Sequence, residues 1–247
     1  VNLPDTKLDI PAMTEKDRRD AAWIAERDFD YVALSFVRSA DDVQALKDLL
    51  RGAGCDAHVV AKIEKPQAVE NIGRIVDVAD AVMVARGDLG VEMDLPDVPV
   101  AQKRIARLCQ RAGKPCIIAT QMLETMTHSP QPTRAEVSDV ANAVLDHADV
   151  VMLSGETAVG DYPAEAVGMM DAIVRATEAF HDETADAVQV AYAPARTTAA
   201  LAGAVGEIIR REEISAVAVL TATGATARVL SKNRPPVPVL ALSPDER

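Results

Sequence analysis

The chain has 247 residues, of which 49% are hydrophobic and 3% aromatic, so a packed core must be built mainly from aliphatic side chains. Its 38 Asp and Glu outnumber its 26 Lys and Arg, and the net charge of −12 disfavours nucleic acid and anionic membranes, which both need clustered cations. No apolar run approaches the ~20 residues of a membrane span. We therefore expect no nucleic acid partner and no membrane.

The number and spacing of the cysteines indicate the redox state of the cellular compartment. Cys55, Cys109 and Cys116 are odd in number and lack the C-x-x-C spacing of a zinc site, which indicates free thiols in a reducing environment. The first residues show neither the basic nor the apolar region of a signal peptide. These features predict a cytoplasmic protein.

Short apolar runs alternate with helical patterns along the first two thirds of the chain. The alternation predicts βαβ units and a parallel sheet, and the continuous apolar character of the runs indicates strands covered on both faces. A closed (β/α)8 barrel needs eight such units. About five fit here, so either the sheet is open or three strands are missing. The predicted strands are residues 31–37, 58–63, 81–85, 116–120 and 150–153, and the main helices between them are residues 40–50, 66–76, 99–112 and 132–145.

A second, smaller α/β unit is predicted after a helix over residues 163–178 and a connection over 182–194. Its elements are a helix (197–211), a strand (216–220), a helix (225–232) and a strand (237–242). We therefore predict a partial TIM barrel over residues 1–178 and a partial C-terminal α/β domain over residues 179–247.

The carboxyl ends of the predicted strands carry polar residues, at the edge where α/β folds place their sites. In the second strand Lys62 and Glu64 share one face, because side chains alternate along a strand. The pair is open to two interpretations. It is a structural ion pair, or it is a metal carboxylate beside a cation that contacts a phosphoryl group.

The third strand ends in Arg86-Gly87-Asp88. Asp88 offers a second carboxylate, and Mg²⁺ is typically held by one or two protein carboxylates with water and substrate oxygens in its other positions. Free N–H groups around Gly87 and Asp88, at a predicted helix start, are suited to a substrate carboxylate.

The fourth strand ends at Thr120, whose hydroxyl is able to orient a substrate or relay a proton, although an isolated strand-end Thr is more often a turn or cap residue. The fifth ends in Ser154-Gly155-Glu156, for which we expect a capping or supporting role rather than a catalytic one.

Seven motifs occur together over essentially the whole chain, and together they resemble the pyruvate kinase family. They are VNLP (1–4), SFVR (35–38), AKIE (61–64), VARGDLGVE (84–92), ATQMLE (119–124), MLSGET (152–157), and TATG (221–224) with RPP (234–236).

The resemblance implies transfer of a phosphoryl group from phosphoenolpyruvate to ADP, giving pyruvate and ATP, with Mg²⁺ (or Mn²⁺) and usually K⁺. It implies that Glu64 and Asp88 hold the divalent ion and that Lys62 stabilises the phosphoryl group in flight. Gly87, Asp88 and Thr120 would contact the carboxylate end of the substrate, with Thr120 near the proton path to the enolate carbon. Lys62 and Thr120 are thus the expected catalytic residues.

The resemblance also implies what the chain lacks: the mobile lid, the first three barrel strands and the K⁺ ligands. A homotetramer is implied for a complete protein. In relatives that respond to a sugar phosphate, a loop of the C-terminal domain binds the phosphate. The resemblance implies that the corresponding loop here contains Thr221, Thr223, Gly224 and Thr226.

Two other interpretations remain open. The first is a metal-dependent lyase or aldolase of the phosphoenolpyruvate/pyruvate barrel group, which also stabilises an enolate with a Glu and an Asp on a metal. The second is an inactive, truncated pyruvate kinase-like fragment.

Overall fold

The computed structural model describes residues 12–184 and 196–244. The chain folds into two compact units. Of the described residues, the first unit contains 12–109 and 114–178, and the second contains 110–113, 179–184 and 196–244. Each unit has a parallel sheet of its own, and each is described separately.

The sheet of the first unit has five parallel strands. They are β1 (Tyr31–Leu34), β2 (His58–Ile63), β3 (Ala81–Ala85), β4 (Cys116–Ala119) and β5 (Val150–Met152). Their order in the sheet is their order in the chain. A doubly wound sheet would reverse the strand order at a switch point, whereas a barrel adds each strand beside the previous one. The sequential order therefore confirms the prediction of an incomplete (β/α) barrel.

Helices precede, connect and follow these strands, as the alternating pattern predicts. They are α1 (Glu15–Ala25), α2 (Ala40–Gly52), α3 (Pro66–Glu70), α4 (Ile72–Val78), α5 (Arg86–Glu92), α6 (Asp97–Ala112), α7 (Arg134–Leu145), α8 (Gly155–Ala158) and α9 (Pro163–Thr184), with a 3₁₀ helix over Glu124–Thr127.

Reciprocal capping boxes begin three of these helices. Thr14, Ser39 and Thr133 each accept a hydrogen bond from a backbone N–H three residues on, and the acidic side chain at that position binds back to the cap residue's N–H. Two of the four unpaired N–H groups at the start of each helix are thereby satisfied.

The helix predicted over 163–178 continues to Thr184, the strand predicted over 116–120 ends at Ala119, and the strand predicted over 237–242 begins at Val239. From residue 185 on, the connection predicted over 182–194 lies outside the described residues. Two further predicted elements also differ from the structure. The strand predicted over 31–37 ends at Leu34, because Phe36 adopts a φ of 55°, which no strand residue has. The helix predicted over 66–76 is divided into α3 and α4 at Asn71, which ends one helix and begins the next.

The core of the first unit is aliphatic, as the composition predicts. The inner strands β2 and β3 are almost wholly buried, whereas β1 and β5, which are the edge strands among the described residues, are more exposed. Inner strands covered on both faces are typical of parallel sheets between helices.

The second unit contains α10 (Arg196–Arg211), β6 (Val217–Leu220), α11 (Ala225–Ser231) and β7 (Val239–Leu242). Its two strands are parallel, as expected for a βαβ unit. A small core forms around Ala202, Val229 and Leu230, with valines of both strands packed against it.

Candidate active site

The register of the sheet in the first unit brings the predicted site residues to one edge. The last paired residues of neighbouring strands are Leu34 with Ala61, Ile63 with Val84, Ala85 with Ala119, and Ala119 with Met152. The segments that follow these pairs therefore leave the sheet side by side, in the arrangement that forms barrel active sites.

Lys62 and Glu64 form an ion pair at this edge. The Lys62 Nζ lies 2.6 Å from Glu64 Oε1 and donates to Ser35 Oγ at 3.0 Å. The Glu64 side chain is only 1% exposed, and its Oε2 accepts the N–H of Phe36 at 2.6 Å. The shared face predicted by alternation is therefore present, and a buried carboxylate is paired with a partly exposed ammonium group.

Ser35 and Phe36 were not predicted as site residues. Both lie in the SFVR motif, and Ser35 is the first residue after β1. The register of β1 and β2 places it beside Lys62, so a polar residue at this strand end was the available signal.

Asp88 lies in the first turn of α5, which begins directly after β3. Its side chain is half-buried, and within residues 12–184 and 196–244 it has no hydrogen bond or ion pair. A partly buried carboxylate without a cationic partner is suited to bind an external cation.

Thr120 is joined to the start of α5 through its hydroxyl. Oγ1 accepts the N–H of Gly87 at 2.8 Å and donates to the carbonyl of Ala119 at 2.6 Å. A Cβ at position 87 would lie 3.3 Å from Thr120 Oγ1, so the contact requires a glycine or a shift of the threonine. The expectation of a free Gly87 N–H is therefore wrong.

Other charged side chains hold this edge together. Lys65, just after the Glu64 carboxylate, pairs with Glu92 at the end of α5 at 2.5 Å. Glu156 is 3% exposed and accepts the backbone N–H groups of Ser154 at 2.7 Å and Leu123 at 3.3 Å. Its contacts support the backbone around the fourth and fifth strand ends.

The described residues contain no group of three or more His, Cys, Asp and Glu arranged to hold a metal ion. A metal site built from three or more of these side chains is therefore not found in this part of the chain. The donor set does fit Mg²⁺ or Mn²⁺, because such ions need only one or two carboxylates when substrate oxygens and water complete the shell. Each Glu64 oxygen retains a further lone pair beyond its present hydrogen bond.

Two family profiles match the chain. The profile described as "Pyruvate kinase, barrel domain" matches residues 1–167, and the profile described as "Pyruvate kinase, alpha/beta domain" matches residues 199–247. The chain belongs to the pyruvate kinase family. The order of the two profiles agrees with a barrel-type unit followed by a smaller α/β unit.

Curated pyruvate kinases are similar to this chain over nearly its whole length. Pyruvate kinase 2 of Saccharomyces cerevisiae is 45% identical over 98% of this chain and 49% of its own length. The pyruvate kinases of Dictyostelium discoideum and Agrobacterium vitis are 44% and 46% identical over 98% and 100% of the chain, which is 49% and 52% of their lengths. The chain thus spans about half the length of the pyruvate kinases it matches. These matches do not favour a lyase or aldolase.

The predicted effector loop of the family lies in the second unit. Gly224 has a φ of 73° and precedes α11, and Thr221 is buried with its N–H donated to the carbonyl of Leu242 at 3.0 Å. Thr221 also lines an open recess of about 430 Å³, whereas Thr223, Gly224 and Thr226 do not line it.

The described helices give no sign of a membrane segment, since none is both long enough and apolar enough to cross a bilayer.

Proposed function

We propose that the protein transfers the phosphoryl group of phosphoenolpyruvate to ADP, giving pyruvate and ATP as the last step of glycolysis. One observation carries the proposal. The Lys62–Glu64 pair, Asp88 and Thr120 occupy the carboxyl edge of a barrel-type sheet in a chain that is 45% identical to a pyruvate kinase over 98% of its length.

Lys62 is proposed to stabilise the transferring phosphoryl group. An ammonium group has three N–H donors. Glu64 and Ser35 take two of them, and the third is available to a phosphoryl oxygen. Because the two fixed partners hold Nζ in place, the charge is preorganised, and preorganised charge is the main source of catalysis in phosphoryl transfer.

Glu64 and Asp88 are proposed to hold Mg²⁺ or Mn²⁺. The bound ion would neutralise charge on the substrate oxygens during transfer. Burial of Glu64 lowers the competition from water for its carboxylate, and Asp88 has no competing partner among the described residues. A requirement for K⁺ is expected from the family, with ligands outside this chain.

Thr120 and the backbone of Asp88 are proposed to bind the carboxylate end of the substrate, and Gly87 is proposed to contribute through its hydrogen bond to Thr120 Oγ1. The Thr120 proton is engaged with the Ala119 carbonyl. Rotation of the hydroxyl toward the substrate would be needed before Thr120 helps to deliver a proton to the enolate carbon. The Gly87 N–H would then continue to hold the oxygen in place.

Several properties of the whole protein follow from the same proposal. Residues 1–178 would belong to the barrel domain and residues 179–247 to the α/β domain. The protein would act in the cytoplasm as a homotetramer, without nucleic acid or membrane. Thr221, Thr223, Gly224 and Thr226 would form an effector loop.

The direct test is ADP-dependent release of pyruvate from phosphoenolpyruvate by the full-length protein, measured with and without Mg²⁺. We expect turnover that requires both ADP and the metal, and a loss of about 10²-fold or more in Lys62→Ala, because a preorganised charge is removed. No turnover of phosphoenolpyruvate with ADP, together with metal-dependent cleavage of a 4-hydroxy-2-oxo acid to pyruvate, would indicate the lyase alternative. A folded full-length protein without turnover would indicate the inactive alternative.

A further inference from the structure

Thr120 and Gln121 have an unusual backbone. Their φ angles are 71° and 54°, so two consecutive residues with side chains lie in the left-handed region. For a β-branched residue such as threonine this conformation is a genuine outlier. Such residues persist only where surrounding contacts fix them, and they concentrate at functional sites.

Arg86 provides those contacts. Its Nε and Nη2 donate to the carbonyl of Thr120 at 3.2 and 2.8 Å, and Nη2 also donates to the carbonyl of Gln121 at 3.1 Å. A buried helix-start arginine thus binds the carbonyls of both left-handed residues. The Arg86 side chain is 8% exposed, so these bonds are shielded from water.

Asp139 of α7 orients the Arg86 guanidinium from the other side. Asp139 Oδ1 lies 2.7 Å from Nη1, and Oδ2 lies 2.7 Å from Nη2. This two-point pair matches the planar fork of arginine and fixes its plane as well as its position. Gln102 Oε1 adds a longer contact to Nη1 at 3.4 Å.

Arg86 and Gly87 bind Thr120 at its backbone carbonyl and at its side-chain hydroxyl. Arg86 binds the carbonyl oxygen, and the N–H of the next residue binds the side-chain hydroxyl. Both contacts come from the same two-residue segment, so a change at Arg86 acts on the same residue whose hydroxyl Gly87 binds.

We propose that Arg86, oriented by Asp139, is a positioning residue that fixes the Thr120 hydroxyl at the substrate edge of the site. The inference rests on the proposed function for its catalytic consequence. Arg86 itself acts only through Thr120. Lysine cannot replace it, because a single ammonium group has neither the planar fork nor enough donors in one plane for both carbonyls and the carboxylate.

The first experiment is a double-mutant cycle on kcat and KM in the full-length protein, with Arg86→Lys and Thr120→Ala. Arg86→Lys should lower kcat by about 10-fold or more, since small misplacements of a reacting group are costly. In the Thr120→Ala background the same change should alter kcat by less than about two-fold, because the group that Arg86 positions is gone. Independent, multiplicative losses would overturn the proposal.

The second experiment needs no turnover and separates a failure of this proposal from a failure of the proposed function. The Gly87 amide lies in the first turn of α5, and its acceptor is Thr120 Oγ1. Its hydrogen exchange, followed by NMR, therefore reports on the hydroxyl. The Thr120→Val variant lacks this acceptor, so it gives the exchange rate of the Gly87 amide when its hydrogen bond is lost.

In Arg86→Lys, exchange of the Gly87 amide should accelerate toward the Thr120→Val rate, while amides of β2 keep their protection. Asp139→Asn is a second, milder variant if Arg86→Lys does not fold, and it should accelerate the same amide. Arg175→Lys is the matched control, because Arg175 forms an exposed pair with Asp171 on α9. If Arg86→Lys and Asp139→Asn both leave the Gly87 amide as slow as the control does, Arg86 does not fix Thr120.

Discussion

The contact between Lys62 and Glu64 satisfies two requirements at once. A carboxylate that is 1% exposed needs a cation and hydrogen-bond donors, and Lys62 and the Phe36 N–H supply them. The same pair leaves an ammonium donor directed at the edge of the site. Burial therefore explains why the pair forms, but it does not decide whether the pair is structural or catalytic.

A variant that keeps the packing and removes both charges separates the two roles. Replacing a buried ion pair by neutral groups of similar shape is often neutral or stabilising, whereas removing one partner costs about 3–5 kcal/mol. In Lys62→Met/Glu64→Gln the glutamine still accepts the Phe36 N–H. We expect a free energy of unfolding within about 1 kcal/mol of the parent and a loss of turnover of about 10²-fold or more.

The measurements are urea unfolding and the pyruvate assay on the same preparation, with Lys62→Met alone as the unbalanced comparison. The single variant should be the less stable of the two. Retention of both stability and turnover in the double variant would show that the pair is only structural.

At the scale of elements, the sequence predicted the features that depend on residues close together in the chain, and missed those that depend on tertiary contacts. The strands and most helices followed from apolar runs and caps, and Lys62 and Glu64 followed from alternation. The early end of β1 and the left-handed backbone of Thr120 could not be predicted in this way, because each depends on contacts with residues distant in sequence. Phe36 is bound to Glu64, and Thr120 is bound to Arg86. The role of Arg86 does not follow from the sequence, because a sequence does not show that its side chain turns away from the Gly87-Asp88 segment toward Asp139 of α7.

Asp80 shows how one carboxylate joins several elements. It precedes β3, and it accepts hydrogen bonds from Lys47 of α2 at 2.7 Å and from the N–H of Val59 in β2 at 2.9 Å. Burial raises the pKa of Asp80, but the Lys47 and Val59 hydrogen bonds outweigh that effect and the net pKa is lowered, with a smaller contribution from His58. The ionised form is therefore favoured in the folded protein.

This lowered pKa predicts how stability depends on pH. The contribution is fully present above the unfolded pKa of ~3.9 and is lost as the pH falls through the lower, folded value. Asp80→Asn should cost about 1–3 kcal/mol near neutral pH and should flatten the decline in stability below pH ~4. Urea midpoints between pH 3 and 7 test this. Asp20→Asn, in the exposed pair with Lys16, is the control and should behave like the parent. An unchanged acid decline in Asp80→Asn would contradict the assignment.

At the scale of the whole molecule, a divalent cation can bind in two ways: weakly to the overall negative charge, or at a specific site. A net charge of −12 attracts cations to the entire surface, and this weak attraction is screened by salt. A site built from Glu64 and Asp88 would instead bind the ion in the folded state only, because the two residues come from different strand ends. Binding to the folded state alone raises global stability.

Mg²⁺ or Mn²⁺ should therefore raise the melting temperature of the chain in moderate salt, and chelation should reverse the rise. At a metal concentration of about 100 times Kd the gain is about 2.7 kcal/mol. Asp88→Asn should abolish most of it. Asp77→Asn makes the same change in net charge at an exposed position of α4 and should keep the full response. If both variants lose the response equally, or both keep it, the effect is one of net charge and Asp88 does not hold the ion.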